Sequence, residues 1–216
     1  MMEFISTVTE WFGPVSFKVE PGAIVKVVAP TKAAVEGFTK TAAGLIKPLS
    51  GQVTLWGRDI YAAGEEEYLA IMRDVGVVRE TGGVISNLKV WENVALPALY
   101  HGKMTLERLE AITEEVLASV GISRAEGEEL MGLYFSDLNP FHARIFKMIR
   151  AFGAGPALMI HEEIASSLPA EAAKSVIGLA MRFHGQGQGR ASMFVTREEA
   201  SLKTLPPAPT IYLAAP

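Results

Sequence analysis

Residues 22–51, GAIVKVVAPTKAAVEGFTKTAAGLIKPLSG, change period partway along, and that change decides how the chain folds. GAIVKVVAP (22–30) is a short β-branched apolar run bounded by turn residues, the pattern of a strand buried on both faces. Thr31 then offers a capping hydroxyl, and Val35, Phe38, Ala42 and Leu45 recur at three- and four-residue intervals, with Gly44 opening the exit GLIKPLSG. The stretch predicts a strand, a turn and a helix in direct succession.

Working outward, SGQVTLWGRDI (50–60) reads as a strand entered and left through glycines, and DVGVV (74–78) as a short buried strand. Between them, YAAGEEEYLAIMR (61–73) predicts a short helix whose acidic first turn and basic end suit the helix dipole. MTLERLEAITEEVLASV (104–120) places Leu106, Leu109, Ile112, Val116 and Leu117 or Val120 on one face of an amphipathic helix. NPFHARIFKMIRAFGAG (139–155) and PAEAAKSVIGLAMRF (169–183) read as helices, each followed by a strand-like run, PALMI (156–160) and ASMFVT (191–196). HGQGQGR (184–190) is a surface turn, and LPPAPTIYLAAP (205–216) a proline-broken connection with one edge strand. Strands alternating with helices predict a parallel α/β core with residues 104–137 as a helical insertion.

A chain of 216 residues with 49% apolar content and a mean hydropathy of +0.23 can bury one sizeable core. A single domain over residues 1–216 is expected, with a helical subdomain at roughly 81–140 inserted in it. The net charge of −4 and the lack of a Lys/Arg cluster argue against nucleic acid as a partner. With no cysteine there is no disulfide frame, thiol nucleophile or Cys-based metal site. MMEFISTVTEWFG (1–13) lacks the basic start and long apolar run of a secretory leader, so a cytoplasmic protein is expected.

The order of VSFKVEPGAIVKVVAP, AGLIKPLSGQVTLWGRDI, VGVVRE, SNLKVWENVALPALYHG, VGI and RAFGAGPALMIHEEIASSL resembles the ATP-binding subunit of ABC transporters over about residues 13–200. SNLKVWENVALPALYHG (86–102) resembles most the branch that serves Mce-associated lipid transport. The resemblance implies a P-loop NTPase-like ABC ATPase fold, with a mainly parallel sheet core and an inserted helical subdomain. It also places the family's functional stations on this chain. The phosphate loop falls on Ala29, Pro30, Thr31, Lys32, Ala33, Ala34, Val35, Glu36 and Gly37. There the family's lysine is Val35 and its magnesium-binding hydroxyl is Glu36. Ala33 and Ala34 favour a turn that closes directly into helix under a Thr31 cap.

The other stations are replaced too. Glu80, preceded by Arg79, stands at the glutamine that senses magnesium and the permease. Leu138-Asn139-Pro140-Phe141-His142 replaces the Leu-Ser-Gly-Gly-Gln signature, with Asn139 and Pro140 still fit to start a helix. Glu162 stands at the magnesium-binding aspartate, Glu163 keeps the general-base position, and Arg197 takes the place of the switch histidine. His161, Ile164 and Pro169 depart from the family pattern around them, and Trp11 or Phe12 is the nearby candidate for an adenine platform. Neither His161 nor His142 sits in a metal-spaced set, and no nucleophile elbow marks a Ser-His-Asp triad.

Sound packing periods beside replaced chemistry imply a fold kept for binding, a pseudo-ATPase subunit and not an enzyme. No cofactor is expected. The expected partner is a transporter permease or another ABC ATPase subunit, with a homodimer as a third form, on the cytoplasmic face of the membrane. The family's permease contact lies near the glutamine loop, which puts Arg79, Glu80, Val84, Ile85, Leu88 and Trp91 in the partner-binding surface. The alternative is a working or ATP-binding ATPase with substituted ligands, in which Lys32 serves the phosphates and Glu162 and Glu163 serve magnesium and base; only it calls for ATP and magnesium. A third reading gives the old cleft near Val35, Phe38 and Phe141 to an unrelated apolar ligand.

Overall fold

The computed structural model describes residues 1–101 and 104–216, with the side chain of residue 101 also left aside; the last residue of the SNLKVWENVALPALYHG segment and the one after it lie outside the described residues. In chain order the elements are β1 (Met2–Val8), β2 (Val15–Val19), β3 (Ile24–Val28), α1 (Lys32–Ala42), β4 (Ser50–Leu55), β5 (Arg58–Asp59), α2 (Glu65–Met72) and β6 (Val75–Arg79). There follow α3 (Val90–His101), α4 (Leu106–Ser119), α5 (Arg124–Met131), α6 (Pro140–Gly153), β7 (Leu158–Glu162), α7 (Ala170–Gln186), β8 (Ala191–Thr196) and β9 (Thr210–Tyr212).

Five strands form a parallel sheet in the order β6-β7-β8-β3-β9, which makes the C-terminal TIY an edge strand. A second sheet, β2-β1-β4-β5, is antiparallel and was not read from the sequence. Helix α1 lies between the two. Its Phe38 ring stacks on Phe4 at 5.0 Å and lies 5.8 Å from Phe12, while Val35 and Ala42 share one apolar cluster with Ile160 of β7 and Val195 of β8. The other face of the parallel sheet carries α6 and α7, with α3, α4 and α5 extending that second cluster outward. This is the α/β layering that the sequence resemblance implies, with α3–α5 lying between β6 and α6.

Two strand expectations need correction. β3 alternates instead of being buried on both faces: Val25 and Val27 are buried toward α1, while Ile24, Lys26 and Val28 are partly covered on the opposite face. SGQVTLWGRDI is a hairpin and not one strand, because Trp56 and Gly57 both adopt positive φ (51° and 76°) and return the chain onto β4. A two-residue turn of that hand matches strand twist.

Helix starts follow the expected caps. The Thr31 hydroxyl accepts from the Ala34 amide at 3.1 Å, and the Asn139 side chain accepts from His142 at 2.8 Å with Pro140 in the first turn. The turn from β3 into α1 is therefore short and closed, and it directs Glu36 toward the ends of β6 and β7.

Candidate functional site

In a parallel sheet the carboxyl ends of the strands gather side chains from loops far apart in sequence. Here that edge collects residues from the turn after β3, the end of β6, the end of β7 and the end of β8. Arg79 and Glu162 are register partners on β6 and β7. The Arg79 Nε donates to both Glu162 carboxylate oxygens, at 3.0 and 3.1 Å. Another guanidinium nitrogen lies 3.8 Å from Glu36 on α1, and Glu36 lies 3.6 Å from Lys40 one turn on. One guanidinium thus links Glu36 and Glu162, the residues that the sequence resemblance puts at the metal-hydroxyl and metal-carboxylate positions. The Glu162 side chain is 3% exposed, and burial raises its pKa above the ordinary 4.5 while the Arg79 charge pulls it back.

Glu163 leaves β7 in the left-handed region, at φ 48°, a conformation that costs a non-glycine residue about 1 kcal/mol. The bend brings its carboxylate against the end of β8. It accepts from the Thr196 hydroxyl at 3.0 Å, from the Arg197 amide at 3.1 Å and from Arg197 Nε at 2.8 Å. Glu163, which the sequence resemblance puts at the general-base position, is held by an ion pair and a hydroxyl. Arg197 has its pKa raised by this pairing.

Glu80 accepts from the Ser167 hydroxyl at 2.9 Å, and its own amide donates to the Glu162 carbonyl at 3.1 Å. Every carboxylate the sequence placed at this edge is engaged by groups of the chain itself. Ala29 and Val35 are buried, Thr31 is used as a cap, and Lys32 is exposed at the start of α1. Phe12 is fully buried against Phe38, and Trp11 lies flat on Gly37, where an added Cβ would stand 2.4 Å from the indole.

No family model matches the chain. Over 191 residues it is 28% identical to the methionine import ATP-binding protein MetN of Mesorhizobium japonicum, covering 88% of this chain and 50% of that one. Against MetN of Cereibacter sphaeroides it is 29% identical over 161 residues, covering 74% and 44%. The chain spans about half the length of the curated relatives it matches. Among solved structures, the dimeric bacterial ABC transporter cassette MJ0796 superposes with a TM-score of 0.82 at 18% identity, over 99% of this chain and 94% of that one. The cassette cbiO1 of Clostridium perfringens, part of the ABC transporter complex cbiONQ, gives 0.68 at 14% identity over 91% and 78%. The chain is thus similar in sequence to ABC transporter ATP-binding proteins and has the fold of an ABC cassette.

Three further residues shape the site without a signal in the sequence pattern that marks them as site residues. Arg144, 3% exposed, donates to the Glu163 carbonyl; burial lowers its pKa, and Glu80, Glu163 and Glu162 oppose that. Lys147, one turn further along α6, donates to the Glu80 carbonyl at 2.9 Å. Asn93, fully buried on α3, holds the loop after Glu80 by accepting from the Ile85 amide at 2.7 Å and donating to carbonyls of that loop. Basic residues on α6 at a three-residue spacing were visible as a pattern, but only the fold shows that they face the strand ends.

Burial brings the Lys147 ammonium down to about 8 from an ordinary 10.5, with the nearby Arg144 and Arg79 charges adding to the effect. The folded cassette therefore sheds this proton at lower pH than the unfolded chain. Stability is expected to rise between pH 8 and 10.5, by on the order of 1 kcal/mol after solvent screening. Urea midpoints across that range should climb in the wild type and stay flatter in Lys147→Met.

The partner-surface residues divide. Arg79 and Glu80 turn inward, as described. Ile85 is exposed, Val84 and Leu88 are partly covered, and Trp91 lines a groove of about 780 Å³ with Leu117, Ile122 and Met131 of the helical layer. His161 is buried, stacks on Phe194 at 4.6 Å and has its pKa pushed down to about 3 by burial. His142 stands 3.8 Å from Glu126.

Proposed function

We propose that this cassette is a non-catalytic subunit of a transport system, a pseudo-ATPase that binds a partner chain instead of turning over ATP. One observation carries the reading: the Arg79 guanidinium bridges Glu162 and Glu36, so a tethered cation fills the place between the two positions the family uses for magnesium. Around it, Glu163 is held by Arg197 and Thr196, and Val35 points into the core where the family's lysine would face phosphate. Binding magnesium and a polyphosphate here requires breaking a buried ion pair first.

The relatives' names supply the setting. MetN is named for methionine import and cbiO1 for an ABC transporter complex, and a permease or a second cassette is the partner this reading assigns. Among the described residues no helix is long and apolar enough to cross a membrane, so attachment at the cytoplasmic face falls to the permease. The exposed Ile85 gives apolar area in the loop after Glu80 for that contact.

The relatives are also named as ATP-binding, and Lys32 is exposed at the start of α1, which supports the second reading of a cassette that binds ATP and magnesium through substituted ligands. Isothermal titration with ATP plus magnesium, alongside ADP and a non-hydrolysable analogue, separates the two. No heat at millimolar nucleotide is the expected result from a folded sample. Micromolar, magnesium-dependent binding accompanied by turnover overturns the non-catalytic reading, and loss of that turnover in Glu163→Gln would then assign the base.

A further inference from the structure

The cleft between β6, α3 and α6 holds a cation that has no ion-pair partner among the described residues. It encloses about 370 Å³ and is lined by Val75 and Val77 of β6, Leu96, Pro97 and Tyr100 of α3, and Arg150 of α6. The Arg150 Nε is buried with no hydrogen-bond partner, and among the described residues Arg150 forms no ion pair. Its pKa is lowered by burial with no carboxylate opposing the shift, unlike that of Arg144 on the same helix. A guanidinium whose Nε is buried without an acceptor gains from one supplied from outside, because a buried unpaired donor costs more than most single hydrogen bonds return.

The strand beside it is unpaired on the same side. β6 is the edge of the parallel sheet and pairs with β7 alone. The Asp74 carbonyl accepts from Leu158 and the Glu80 amide donates to Glu162, so the two-residue repeat of a parallel ladder turns residues 74, 76, 78 and 80 toward β7. The peptide groups of Val75 and Val77 face the opposite, open side, which is a wall of the cleft.

An isolated anion would answer Arg150 and leave the strand edge unpaired. A neutral peptide would pair the edge and leave Arg150 without a counter-ion. We propose that the cleft receives a short extended segment of a partner protein, added as a strand along Val75–Val77 and carrying an Asp or Glu carboxylate that pairs with Arg150. Leu96, Pro97 and Tyr100 then cover the segment's apolar side chains. This rests on the partner-binding role above and adds the chemistry of the partner's docking segment.

The probe is a blocked pentapeptide of alternating valine and threonine with a central glutamate, compared with its glutamine twin and followed by amide resonances of the intact chain. The expected result is that the glutamate peptide shifts the Val75 and Val77 amides, and that binding weakens about tenfold with the glutamine twin and in Arg150→Met. Arg150→Lys, which keeps the charge and loses the fork, should fall between. Equal binding of the two peptides, shifts confined to other surfaces, or no shift at ten-millimolar peptide overturns the proposal. So does concentration-dependent dimerisation that buries this edge, since the occupant is then a second copy. If Arg150→Met does not fold, the two peptides on the wild type still decide. The nucleotide test fails or succeeds independently: ATP binding with turnover would remove the non-catalytic reading and leave the peptide result intact.

Discussion

Arg79→Met is expected to destabilise the protein by about 3–5 kcal/mol at pH 7, because it removes one partner of a buried pair and leaves the other charged. Glu162 has a side chain 3% exposed, and Glu36 would face it with the bridging guanidinium gone. Burial already raises the Glu162 pKa above 4.5, and the Arg79 charge is the first influence opposing it. Without that charge the folded-state value goes higher. A raised carboxylate pKa favours the folded state at low pH, so the variant should recover as pH falls toward 4.5 and lose stability as pH rises through the folded value. Urea unfolding at pH 7 and pH 4 checks this, and Arg79→Met combined with Glu162→Leu should regain most of the loss. The same variant reports on the site's history. If two carboxylates are released where the family holds magnesium, millimolar magnesium should raise the melting temperature of Arg79→Met and leave the wild type unchanged.

Asn93→Leu is expected to cost about 2–3 kcal/mol, even though leucine matches asparagine in bulk, because the loss is of buried hydrogen bonds. The Asn93 amide donates to the carbonyls of Ile85, Leu88 and Lys89 at 2.9, 3.1 and 3.2 Å and accepts from the Ile85 amide. These contacts turn the loop after Glu80 back onto α3. Asn93→Asp keeps the acceptor but aims a carboxylate at three carbonyl oxygens, so it should be at least as damaging at pH 7 and milder at acid pH. Hydrogen exchange at Ile85 gives a local readout: both variants should expose it by orders of magnitude, while exchange in β3 and β8 follows only the global stability change.

Much of this fold was legible because its signals are local. Thr31 and Asn139 announce their helices within three residues, and the apolar periods of 32–42 and 140–153 match the faces that are buried. The antiparallel sheet was not legible because β1 breaks its own alternation. Ser6 has φ 46°, and the register on both neighbours slips around it, so MEFISTV buries Met2, Phe4 and Thr7 without a constant period. The hairpin at Trp56–Gly57 was hidden by a tryptophan in a conformation that sequence patterns reserve for glycine. At the site, counting from family anchors placed Glu36, Glu80, Glu162 and Glu163 at one edge of the sheet. Apart from the Lys40 partner of Glu36, what these carboxylates pair with depends on side chains 33 to 87 residues away, as for Thr196 with Glu163 and Ser167 with Glu80, and no local period encodes such distances.

The tethered cation between Glu36 and Glu162 has a consequence for timing. A metal and its nucleotide come and go, and a fuelled cassette moves because they do. Arg79 has no off-rate. Under the proposed function, this subunit keeps the same shape at every ratio of ATP to ADP, and in an assembly it acts as a stator, the fixed half against which a moving half can push.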